Sequence, residues 1–517
     1  MLSKKAADKD KIVDKKVKSI NEQHKAEELT SSLDQNMAII QRLFVDVDIL
    51  RIKFIENNHQ QALRFCIAFC DGVVNSAIIN DNIVRPLMIS NAALLGPQLM
   101  DTLANHVVQI SEAKQTVDFS EIIEAISYGD TVLFADGTAK ALILNTKGFT
   151  TRSTTEPENE RSLSGPREGF TESIMQNLSF IRRKVRTSEL KMKFLSVGTR
   201  TKTSICVSYI NGLADKRILD EVQKKLNEID IDGVLDSNYI TELIRDKKWA
   251  LFRSTGYTER PDVVVGNLLE GRIAIFIDGT PSVLTVPYLF IQNFQSNEDY
   301  YLNFYYTTYS RLLRIIGFFI TVGVPGFYIA IVAFHHEMIP TQLLINIAAE
   351  RQSVPLPANI EAFIMLVIFD ILRETGIRMP SNIGQALGIV GALVIGQAAV
   401  EAKMVAAPMI IVVGITGITN LLVPKLNAPV IYLRFFVLLA SSIFGFFGFV
   451  LSSACMLIHI FNLTSFGLPQ VMLSGSYQYQ EIKDLAFRSP WWWMRTRPGR
   501  ISANTVRMKD QGGENNE

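Results

Sequence analysis

The distribution of apolar residues divides the chain near residue 306. Before that point, short apolar runs alternate with polar residues, whereas after it several runs of about 20 residues carry almost no charge. Short alternating runs are typical of strands and amphipathic helices, and long uncharged runs are long enough to cross a bilayer. The pattern predicts an α+β cytoplasmic N-terminal region with two subdomains, followed by an all-α polytopic membrane domain.

The first α+β subdomain is predicted at residues 34–148. The segment Met37–Phe44 is amphipathic and predicts a helix, and Ala62–Pro97 is also interpreted as mostly helical. Asp130–Leu144 contains two apolar runs separated by Asp-Gly. Glycine tolerates the positive φ that tight turns require, so this segment predicts a β-hairpin.

The second α+β subdomain is predicted at residues 168–305. We expect helices at Glu168–Arg186 and Lys216–Ile229, strands at Phe194–Val197 and Thr203–Ile210, and a second hairpin at Arg272–Val286. The second hairpin contains Phe-Ile-Asp-Gly-Thr, which resembles the Phe-Ala-Asp-Gly-Thr of the first hairpin. The similarity suggests that the two subdomains are copies of one α+β unit.

Three polar segments separate or flank these regions. Residues 1–33 are charged and have no apolar core, which predicts a disordered tail rather than a signal peptide and keeps the following region in the cytoplasm. Residues 149–167 are interpreted as a linker, and residues 471–517 as a basic C-terminal tail. In that tail Trp491–Trp493 precede three arginines, a combination typical of a cytoplasmic membrane interface.

The helical transmembrane domain is predicted at residues 306–470. Ile315–Phe334 carries no charge and follows Arg311 and Arg314, which places its N-terminal side in the cytoplasm. Further spans are expected at Ile383–Val400, Met404–Val423 and Val430–Phe461.

The last of these runs is longer than one span needs. It is interpreted either as one long tilted helix or as a span followed by an interfacial turn, with Arg434 reaching to the membrane surface. Two cytoplasmic ends require an even number of spans. We therefore expect four full spans, with residues 341–380 forming an interfacial or re-entrant pair of helices.

The apolar segment Asn359–Ile377 carries charges that are costly at membrane depth. One interpretation is local pairing, of Asp370 with Arg373 and of Glu374 with Arg378. The other is a pore or gate lining, in which Asp370 and Glu374 share a helix face and form an acidic ring in an oligomer. Glu361 lies about half a turn away from that face and is the third candidate.

Two further sets of residues are candidates for packing and coupling. Small residues at helical spacing predict a close helix contact, and they are Gly384, Gly388, Gly391 and Gly396. Candidate assembly or coupling contacts are Arg182, Arg183, Glu259, Arg260 and Asp262. A structural interpretation competes with the second set, since cations at the end of a helix also stabilise its dipole.

Composition and motifs exclude several functions. The 52 basic and 51 acidic residues nearly cancel, which gives no indication of a nucleic-acid partner. The four cysteines form no CxxC pair and are interpreted as buried reduced thiols. No nucleotide-binding, zinc-protease or serine-hydrolase motif is present, and His335, His336 and Glu337 have no further ligands nearby in sequence. We expect no catalytic residue, cofactor or metal, and no enzyme activity.

An ordered series of stretches resembles the motifs of one protein family. In the first half these are Gly165–Glu172, Asn177–Arg183, Thr258–Asp262, Glu270–Arg272, Asp278–Pro281 and Glu298–Tyr300. In the second half they are Met338–Thr341, Arg373–Pro380, Gly391–Val400 and Ser465–Pro469. Over residues 120–470 the chain resembles the A subunit of bacterial spore germinant receptors.

This resemblance implies a role in nutrient sensing by dormant endospores, at the spore inner membrane. It implies two partners, a multi-span B subunit that resembles amino-acid transporters and is the expected germinant binder, and a lipoprotein C subunit. It also implies an oligomeric ion channel, expected to be a pentamer in membrane lipid, whose opening starts cation release. The alternatives are a transporter, for which the membrane part shows no internal repeat, and a non-conducting scaffold subunit.

Overall fold

The computed structural model describes residues 29–58, 63–90, 99–148, 160, 164–379, 391, 394–471 and 484–507. Two five-stranded sheets form the first part of the described chain, and long helices form the part after residue 303. The predicted order of an α+β region followed by a helical region is therefore confirmed.

The first sheet is antiparallel, in the order β1-β2-β4-β5-β3. Its strands are β1 Leu50–Glu56, β2 Arg64–Cys70, β3 Ala113–Thr116, β4 Thr131–Ala135 and β5 Ala141–Leu144. The helices of this subdomain are α1 Leu33–Leu43, α2 Ser76–Ile79, α3 Arg85–Ile89, α4 Leu99–Thr102 and α5 Phe119–Tyr128. Short π-helical turns, Asn80–Val84 and Leu103–Val107, follow α2 and α4.

The predicted first hairpin and its Asp-Gly turn are confirmed. The helix predicted at Ala62–Pro97 is wrong in its first part. Strands β4 and β5 flank a turn in which Gly137 has φ +83°. Residues 64–70 form a central strand with both faces largely buried. Such a strand lacks the polar alternation that distinguishes it from a buried helix.

The second sheet has the order β6-β7-β9-β10-β8 and is also antiparallel. Its strands are β6 Leu190–Val197, β7 Thr203–Ile210, β8 Gly256–Thr258, β9 Ile273–Ile277 and β10 Val283–Val286. The helices are α6 Ile174–Lys184, α7 Lys216–Asn227, α8 Ser237–Leu243 and α9 Pro261–Leu269. The predicted second hairpin is confirmed as β9 and β10.

The two sheets repeat one another, as the matching Asp-Gly-Thr hairpins suggested. Each sheet places its strands in the same order relative to the sequence, and each subdomain begins with a helix that precedes the first strand. The repeat extends to the residues at the start of those helices, since Thr30-Ser-Ser-Leu-Asp-Gln-Asn36 matches Thr171-Glu-Ser-Ile-Met-Gln-Asn177.

The atomic contacts at these two helix starts are also the same. The Asn36 side chain accepts a bond from Thr30 N at 3.0 Å and donates one to Thr30 O at 2.7 Å. The corresponding bonds between Asn177 and Thr171 are 2.8 Å and 2.6 Å long. In both copies, the asparagine closes a ring around the first helical turn and satisfies backbone groups that would otherwise lack partners.

Each helix start is also tied to the turn of its own hairpin. The Asp136 carboxylate accepts a bond from Leu33 N at 3.2 Å, and the Asp278 carboxylate accepts one from Ile174 N at 3.1 Å. The duplicated sequence therefore encodes a duplicated tertiary contact between the first helix and the Asp-Gly turn of each subdomain.

The two subdomains are joined through their edge strands and share one apolar core. Val47 forms a parallel bridge with Met192, and Met192 N donates to Asp46 O at 3.0 Å. Leu29 and Leu33 are buried in the same core cluster as Phe276 of β9. The core therefore includes residues of the segment predicted as a tail, and residues 1–28 lie outside the described part of the chain.

The second half contains the helices α10 Phe304–Ala333, α11 Thr341–Arg351, α12 Ala358–Arg378, α13 Ala407–Asn420 and α14 Asn427–Phe461. Residues 394–401 are helical too, but most of the predicted span Ile383–Val400 falls outside the described residues. In the described part of the chain, the segments Phe304–Ala333 and Pro424–Phe461 are long and apolar enough to cross a membrane. The apolar helix α13 has only 14 residues.

Helix α14 reverses direction at Gly445, so neither interpretation of Val430–Phe461 was right. Gly445 has φ 60° and ψ −137°, values outside the helical region. A straight helix of 35 residues would be about 52 Å long. Instead both ends return to the soluble region, because Lys425 Nζ lies 3.5 Å from Gln295 O and Asn462 O accepts a bond from Lys247 Nζ at 2.5 Å.

The turn at Gly445 lies beside the far end of α10. A Cβ atom at Gly445 would lie 2.8 Å from the Phe334 ring, the residue that follows α10. The arms 427–444 and 446–461 therefore run alongside α10 from the soluble region to its far end and back. Helix α13 runs back toward the soluble region, since Met409 packs near Ile329 whereas Thr419 bonds Thr321 at 2.8 Å.

Helix α12 also runs from the far end toward the soluble region. Its first turns pack with Ile329 and Val332 in a cluster at the end of α10, and Glu361 accepts a bond from Ala406 N at 3.2 Å. Farther along, the Phe369 ring lies against Gly417. Residues 341–380 thus supply a pair of helices, as predicted, although α12 is long enough to traverse the bundle.

The C-terminal segment returns to the second subdomain. Ser502 bridges to Ala214, and Arg507 pairs with Glu270 at 3.2 Å. Of the four cysteines, Cys66, Cys70 and Cys206 are buried free thiols, as expected, whereas Cys455 is exposed on α14.

The matching hydrogen bonds of Asn36 and Asn177 at the two helix starts predict similar losses of stability when either asparagine is replaced. Asn177→Ala and Asn36→Ala each leave partly buried backbone groups of Thr171 and Thr30 without these partners, and we expect each to lower the free energy of unfolding by about 1–3 kcal/mol. Thermal unfolding of the full chain in detergent measures the shift in midpoint.

The neighbouring Glu172 is exposed and provides the control, because Glu172→Ala should change the free energy of unfolding by less than about 0.5 kcal/mol. Equal midpoints for Asn177→Ala and Glu172→Ala would contradict a stabilising role for the ring.

Candidate functional site

The candidate site lies along α12, where the apolar helix carries its charges. The structure places the three acidic candidates in three different surroundings. Glu361 is completely buried, lies 3.4 Å from Arg351 of α11, and accepts the Ala406 N–H. Its carboxylate therefore connects three segments at the far end of the bundle.

Asp370 faces the interior of the bundle and pairs with Arg434 of α14. The Asp370 Oδ2 to Arg434 Nη2 distance is 2.5 Å, and Arg434 is fully buried. The residues before and after Arg434 pack differently, with Leu433 in the cluster nearest the soluble region and Leu438 in the far cluster. The prediction that Arg434 reaches the membrane surface is therefore wrong, since its guanidinium is neutralised halfway along the bundle.

The same group of side chains contains unused hydrogen-bond donors. Arg373 lies 3.5 Å from Asp370, which agrees with the predicted i,i+3 pairing. Within the described residues, Nε and Nη1 of both Arg373 and Arg434 are buried without a hydrogen-bond partner. One carboxylate thus neutralises two guanidinium groups and satisfies few of their donors, which leaves the cluster able to accept a further anionic or carbonyl group.

Glu374 lies on the outer surface of α12. It pairs with Arg378 at 2.8 Å, as the local interpretation predicted, and both side chains are exposed. Ile371 and Thr375 share this outward surface. Asp370 and Glu374 therefore do not present their carboxylates to one surface, and Glu374 is the acidic candidate that a neighbouring molecule or water could reach.

The predicted glycine contacts are found only in part. Gly384 and Gly388 lie outside the described residues, Gly391 lies beside Leu372, and Gly396 has an ordinary contact with Ile410. Other close helix contacts use glycines that sequence reasoning missed, among them Gly317, Gly326 and Gly417. Gly326 packs directly against Val437 and Ser441, so any side chain there would push α10 and α14 apart.

The five coupling candidates all have partners inside the folded chain. Arg182 is fully buried and donates to Thr187 O at 2.8 Å and Leu190 O at 2.9 Å. Arg183 pairs with Glu168, and burial of the Glu168 carboxyl, which would raise its pKa, is outweighed by Arg183 and Lys184, so that its pKa is lowered. These contacts favour the structural interpretation of the basic cluster.

The second coupling segment is also tied internally. Arg260 is fully buried, pairs with Asp262 at 3.1 Å, and donates to Glu160 O at 3.2 Å. Glu259 accepts a bond from Phe170 N at 2.8 Å through its carbonyl oxygen. Arg260 and Asp262 thus hold the start of α9, and Asp262 also accepts a bond at 2.7 Å from the hydroxyl of Tyr301, in the turn before α10.

A cluster of ion pairs at the base of α10 was not predicted. Arg311 is fully buried, with its guanidinium 2.8 Å from Asp299 and 2.7 Å from Asp484 of the C-terminal segment. Arg314 pairs with the second oxygen of Asp299 at 2.9 Å. We call Asp299, Arg311, Arg314 and Asp484 the junction cluster, because it connects α10, the turn before it and the chain terminus.

Tyr300 completes the junction cluster. Its hydroxyl donates to the Asp484 carboxylate at 2.5 Å. Burial raises the pKa of Tyr300 well above its usual range, and the adjacent Asp484 charge raises it further. Burial also raises the pKa of Asp484, against the opposing effect of Arg311 and the Tyr300 hydroxyl. Tyr300 therefore stays protonated and acts as a hydrogen-bond donor to Asp484 at any physiological pH.

A cavity of about 510 Å³ lies next to the junction cluster. The second subdomain contributes Tyr257 and Glu270 to its lining, the turn before α10 contributes Tyr300, and the C-terminal segment contributes Asp484 and Arg507. Glu270 pairs with Arg507, and Asp484 pairs with Arg311 of α10. The cavity therefore lies within the contact between the soluble region and the helices.

No group of three or more His, Cys, Asp or Glu side chains among the described residues is arranged to hold a metal ion. In the described part of the chain, the charged side chains at α12 and at the base of α10 form ion pairs and helix contacts rather than a nucleophile–base arrangement.

Comparison with known proteins identifies one family. The model of the Bacillus/Clostridium GerA spore germination protein family matches residues 36–500. Spore germination protein KA of Bacillus subtilis (strain 168) is 41% identical over 473 residues, which cover 91% of this chain and 86% of the relative. The uncharacterized membrane protein YfkQ of the same organism is 42% identical, covering 84% of this chain and 85% of the relative.

A third relative and one solved structure are also similar to this chain. Spore germination protein B1 of Bacillus subtilis (strain 168) is 33% identical, covering 92% of this chain and 98% of the relative. The crystal structure of the N-terminal domain of the A subunit of the Bacillus megaterium spore germinant receptor GerK3 is 32% identical, with a TM-score of 0.42, covering 52% of this chain and 98% of that chain.

The buried pair between α12 and α14 predicts a large effect of removing one partner. Arg434→Gln leaves the Asp370 carboxylate in the bundle with Arg373 as its remaining partner. We expect a loss of about 3–5 kcal/mol, toward the lower value because the Asp370 side chain is 18% exposed. The thermal unfolding midpoint of the full chain in detergent measures this loss.

The exposed pair provides the matched control. Arg378→Gln removes the partner of Glu374 on the same helix, and we expect a change of less than about 1 kcal/mol. The double variant Asp370→Asn with Arg434→Gln should recover part of the lost stability. A single variant Arg434→Gln as stable as Arg378→Gln would show that the buried pair does not hold α12 in place.

Proposed function

Because the chain belongs to the GerA family of spore germination proteins, we propose that it is the A subunit of a nutrient-sensing germinant receptor and conducts ions as an oligomer. The family match confirms the resemblance inferred from the ordered motifs, and extends it from residues 120–470 to residues 36–500. The ion channel is the part of the proposal that rests on α12 and its charged residues.

The proposed channel requires a multi-pass membrane domain. The helix directions support six crossings, by α10, α12, the segment that contains Gly391 and the helical residues 394–401, α13 and the two arms of α14. This segment would run outward, since Gly391 lies beside Leu372 and Ala399 packs in the far cluster. This proposal replaces the expected four full spans, because α12 becomes membrane-crossing and the reversal at Gly445 divides the last expected span into two. An even number places both termini on one side, proposed to be the cytoplasm.

The proposed pore surface is the outward face of α12. Glu374, Thr375 and Arg378 are exposed there, on a helix whose opposite side packs against α13 and α14. Polar residues at membrane depth face water or a partner, because lipid does not solvate them. In a ring of subunits Glu374 would form the acidic ring, and cation channels use such rings to attract their ions.

Asp370 then serves as the proposed gate contact rather than as pore lining. Its pair with Arg434 fixes the rotation of α12 relative to α14, and therefore the direction in which Glu374 points. Opening would require a state in which the germinant-bound receptor favours a different rotation of α12. The unused donors of Arg373 and Arg434 would provide alternative hydrogen bonds in that state.

The proposed partners are the B subunit, as the germinant binder, and the lipoprotein C subunit. A pentamer in the spore inner membrane is the proposed assembly. The coupling candidates Arg182, Arg183, Glu259, Arg260 and Asp262 would act by keeping the second subdomain rigid rather than by touching a partner. The junction cluster would then transmit movements of that subdomain to α10.

Potassium release from spores tests the channel. Glu374→Gln removes the proposed ring charge without disturbing the buried pair, and we expect cation release after nutrient addition to slow several-fold at matched receptor abundance. Asp370→Asn should instead alter the nutrient dependence of release, since it loosens the contact that sets the closed position.

Glu401→Gln is the control, because Glu401 is also exposed and hydrogen-bonded to a residue of its own helical turn, Gln397 at 2.8 Å. Release unchanged in Glu374→Gln, with the complex assembled normally, would contradict the pore surface. Release unchanged in all three variants would favour the non-conducting scaffold.

A further inference from the structure

An exposed aromatic surface surrounds the base of α10. Tyr305, Tyr306 and Tyr309 of α10 are exposed, and so are the three consecutive residues Trp491–Trp493 of the C-terminal segment. The two groups are adjacent, since the ring centroids of Phe304 and Trp492 lie 5.9 Å apart and those of Tyr300 and Trp491 lie 6.0 Å apart. We call these six exposed residues the aromatic belt.

The position of the aromatic belt is fixed by buried contacts, not by the aromatic residues themselves. Asp484 is anchored to Arg311, and the Arg488 guanidinium lies 5.7 Å from the Trp491 ring centroid. The backbone N–H of Arg488 donates to Thr308 Oγ1 of α10 at 3.2 Å, which also fixes the segment to this helix. The tryptophans are therefore held beside the first turns of α10, although they lie about 180 residues later in the chain.

The tyrosine face of α10 continues directly into its aliphatic face. Tyr305 and Tyr309 are followed at helical spacing by Leu313 and Ile316, which are also exposed. Ile316 lies at the start of the uncharged run that ends at Phe334, and Leu313 lies just before it. One outward surface thus changes from tyrosine to aliphatic side chains along the direction of the candidate span.

The charge of the C-terminal segment fits the same environment. Residues 485–507 contain five arginines and no aspartate or glutamate. Arg488 is buried and Arg507 pairs with Glu270, whereas Arg495 is exposed beside the tryptophans. Tryptophan and tyrosine concentrate where a bilayer changes from hydrocarbon to headgroups, and arginines beside them interact with lipid phosphates.

We propose that the aromatic belt lies in the headgroup layer of the bilayer, so that the C-terminal segment binds lipid as an interfacial anchor. The inference rests on the proposed membrane domain and adds a second lipid-binding element that does not cross the bilayer. The anchor sets the depth of α10, and because the same segment holds Arg311 through Asp484, the depth of α10 and the position of the second subdomain are fixed together.

A second copy of this chain is the competing occupant of the surface. Aromatic residues and arginine are common at protein interfaces as well. The continuous change from tyrosine to aliphatic residues along α10 favours lipid, because a bilayer has this sequence of environments along its normal.

Tryptophan fluorescence tests the proposal without removing the belt. The chain has four tryptophans, three in the belt and Trp249, which is 97% exposed on the soluble region. Trp249→Phe leaves only the belt tryptophans, and the triple variant Trp491→Phe, Trp492→Phe, Trp493→Phe leaves only Trp249 as a control for exposure to water. Both full-length variants are reconstituted into vesicles containing anionic lipid.

We expect the belt tryptophans to show blue-shifted emission and several-fold weaker quenching by aqueous iodide than Trp249. Lipids brominated near the headgroup should quench them more strongly than lipids brominated at the chain end. Resistance of the chain to alkaline extraction from the vesicles reports separately on the membrane domain.

Three results would overturn the anchor. Equal iodide quenching of the belt and of Trp249, in chains that resist extraction, would place the belt in water while leaving the channel proposal intact. Protection from both iodide and brominated lipid would show that another protein copy covers the surface. Extraction of the chain from the vesicles would reject the anchor and the membrane domain together.

Discussion

The structure depends on the neutralisation of one buried arginine, Arg311. A guanidinium removed from water is costly unless carboxylates and hydrogen-bond acceptors surround it. Here the two carboxylates come from distant parts of the chain, Asp299 before α10 and Asp484 near the C-terminus. The requirement to pair one charge therefore brings together the soluble region, the first long helix and the C-terminal segment.

The helical bundle repeats this logic with a second buried arginine. Arg434 and Asp370 belong to helices that are 64 residues apart in sequence, and their pairing fixes how α12 faces α14. Each buried pair is thus a constraint on geometry more than a source of stability, because desolvation offsets much of the attraction. The two arginines differ in degree, since one guanidinium nitrogen of Arg311 and two of Arg434 have no hydrogen-bond partner among the described residues.

Local sequence signals predicted the parts of the fold that local chemistry determines. The Asp-Gly turns located both hairpins, and the amphipathic periods located α1 and α7. Strand β2 was missed because both of its faces are buried, and the reversal at Gly445 was missed because no charge or proline interrupts the uncharged run around it. The ion partners of Arg311 and Arg434 could not be predicted, since a charge pattern along one helix does not reveal which distant residue faces it.

The reversal at Gly445 has a consequence for the thickness of the bilayer that suits this chain. The arms 427–444 and 446–461 would extend about 27 Å and 24 Å, less than the roughly 30 Å of an average hydrocarbon core. A tight turn fixes both lengths, so these arms cannot adjust to a thicker bilayer by tilting, and tilt only shortens their reach. In the proposed membrane domain, this mismatch would be met by thinning of the surrounding lipid, by flanking side chains that reach to the surface, or by oligomerisation, so that the lipid composition would act mechanically on the bundle.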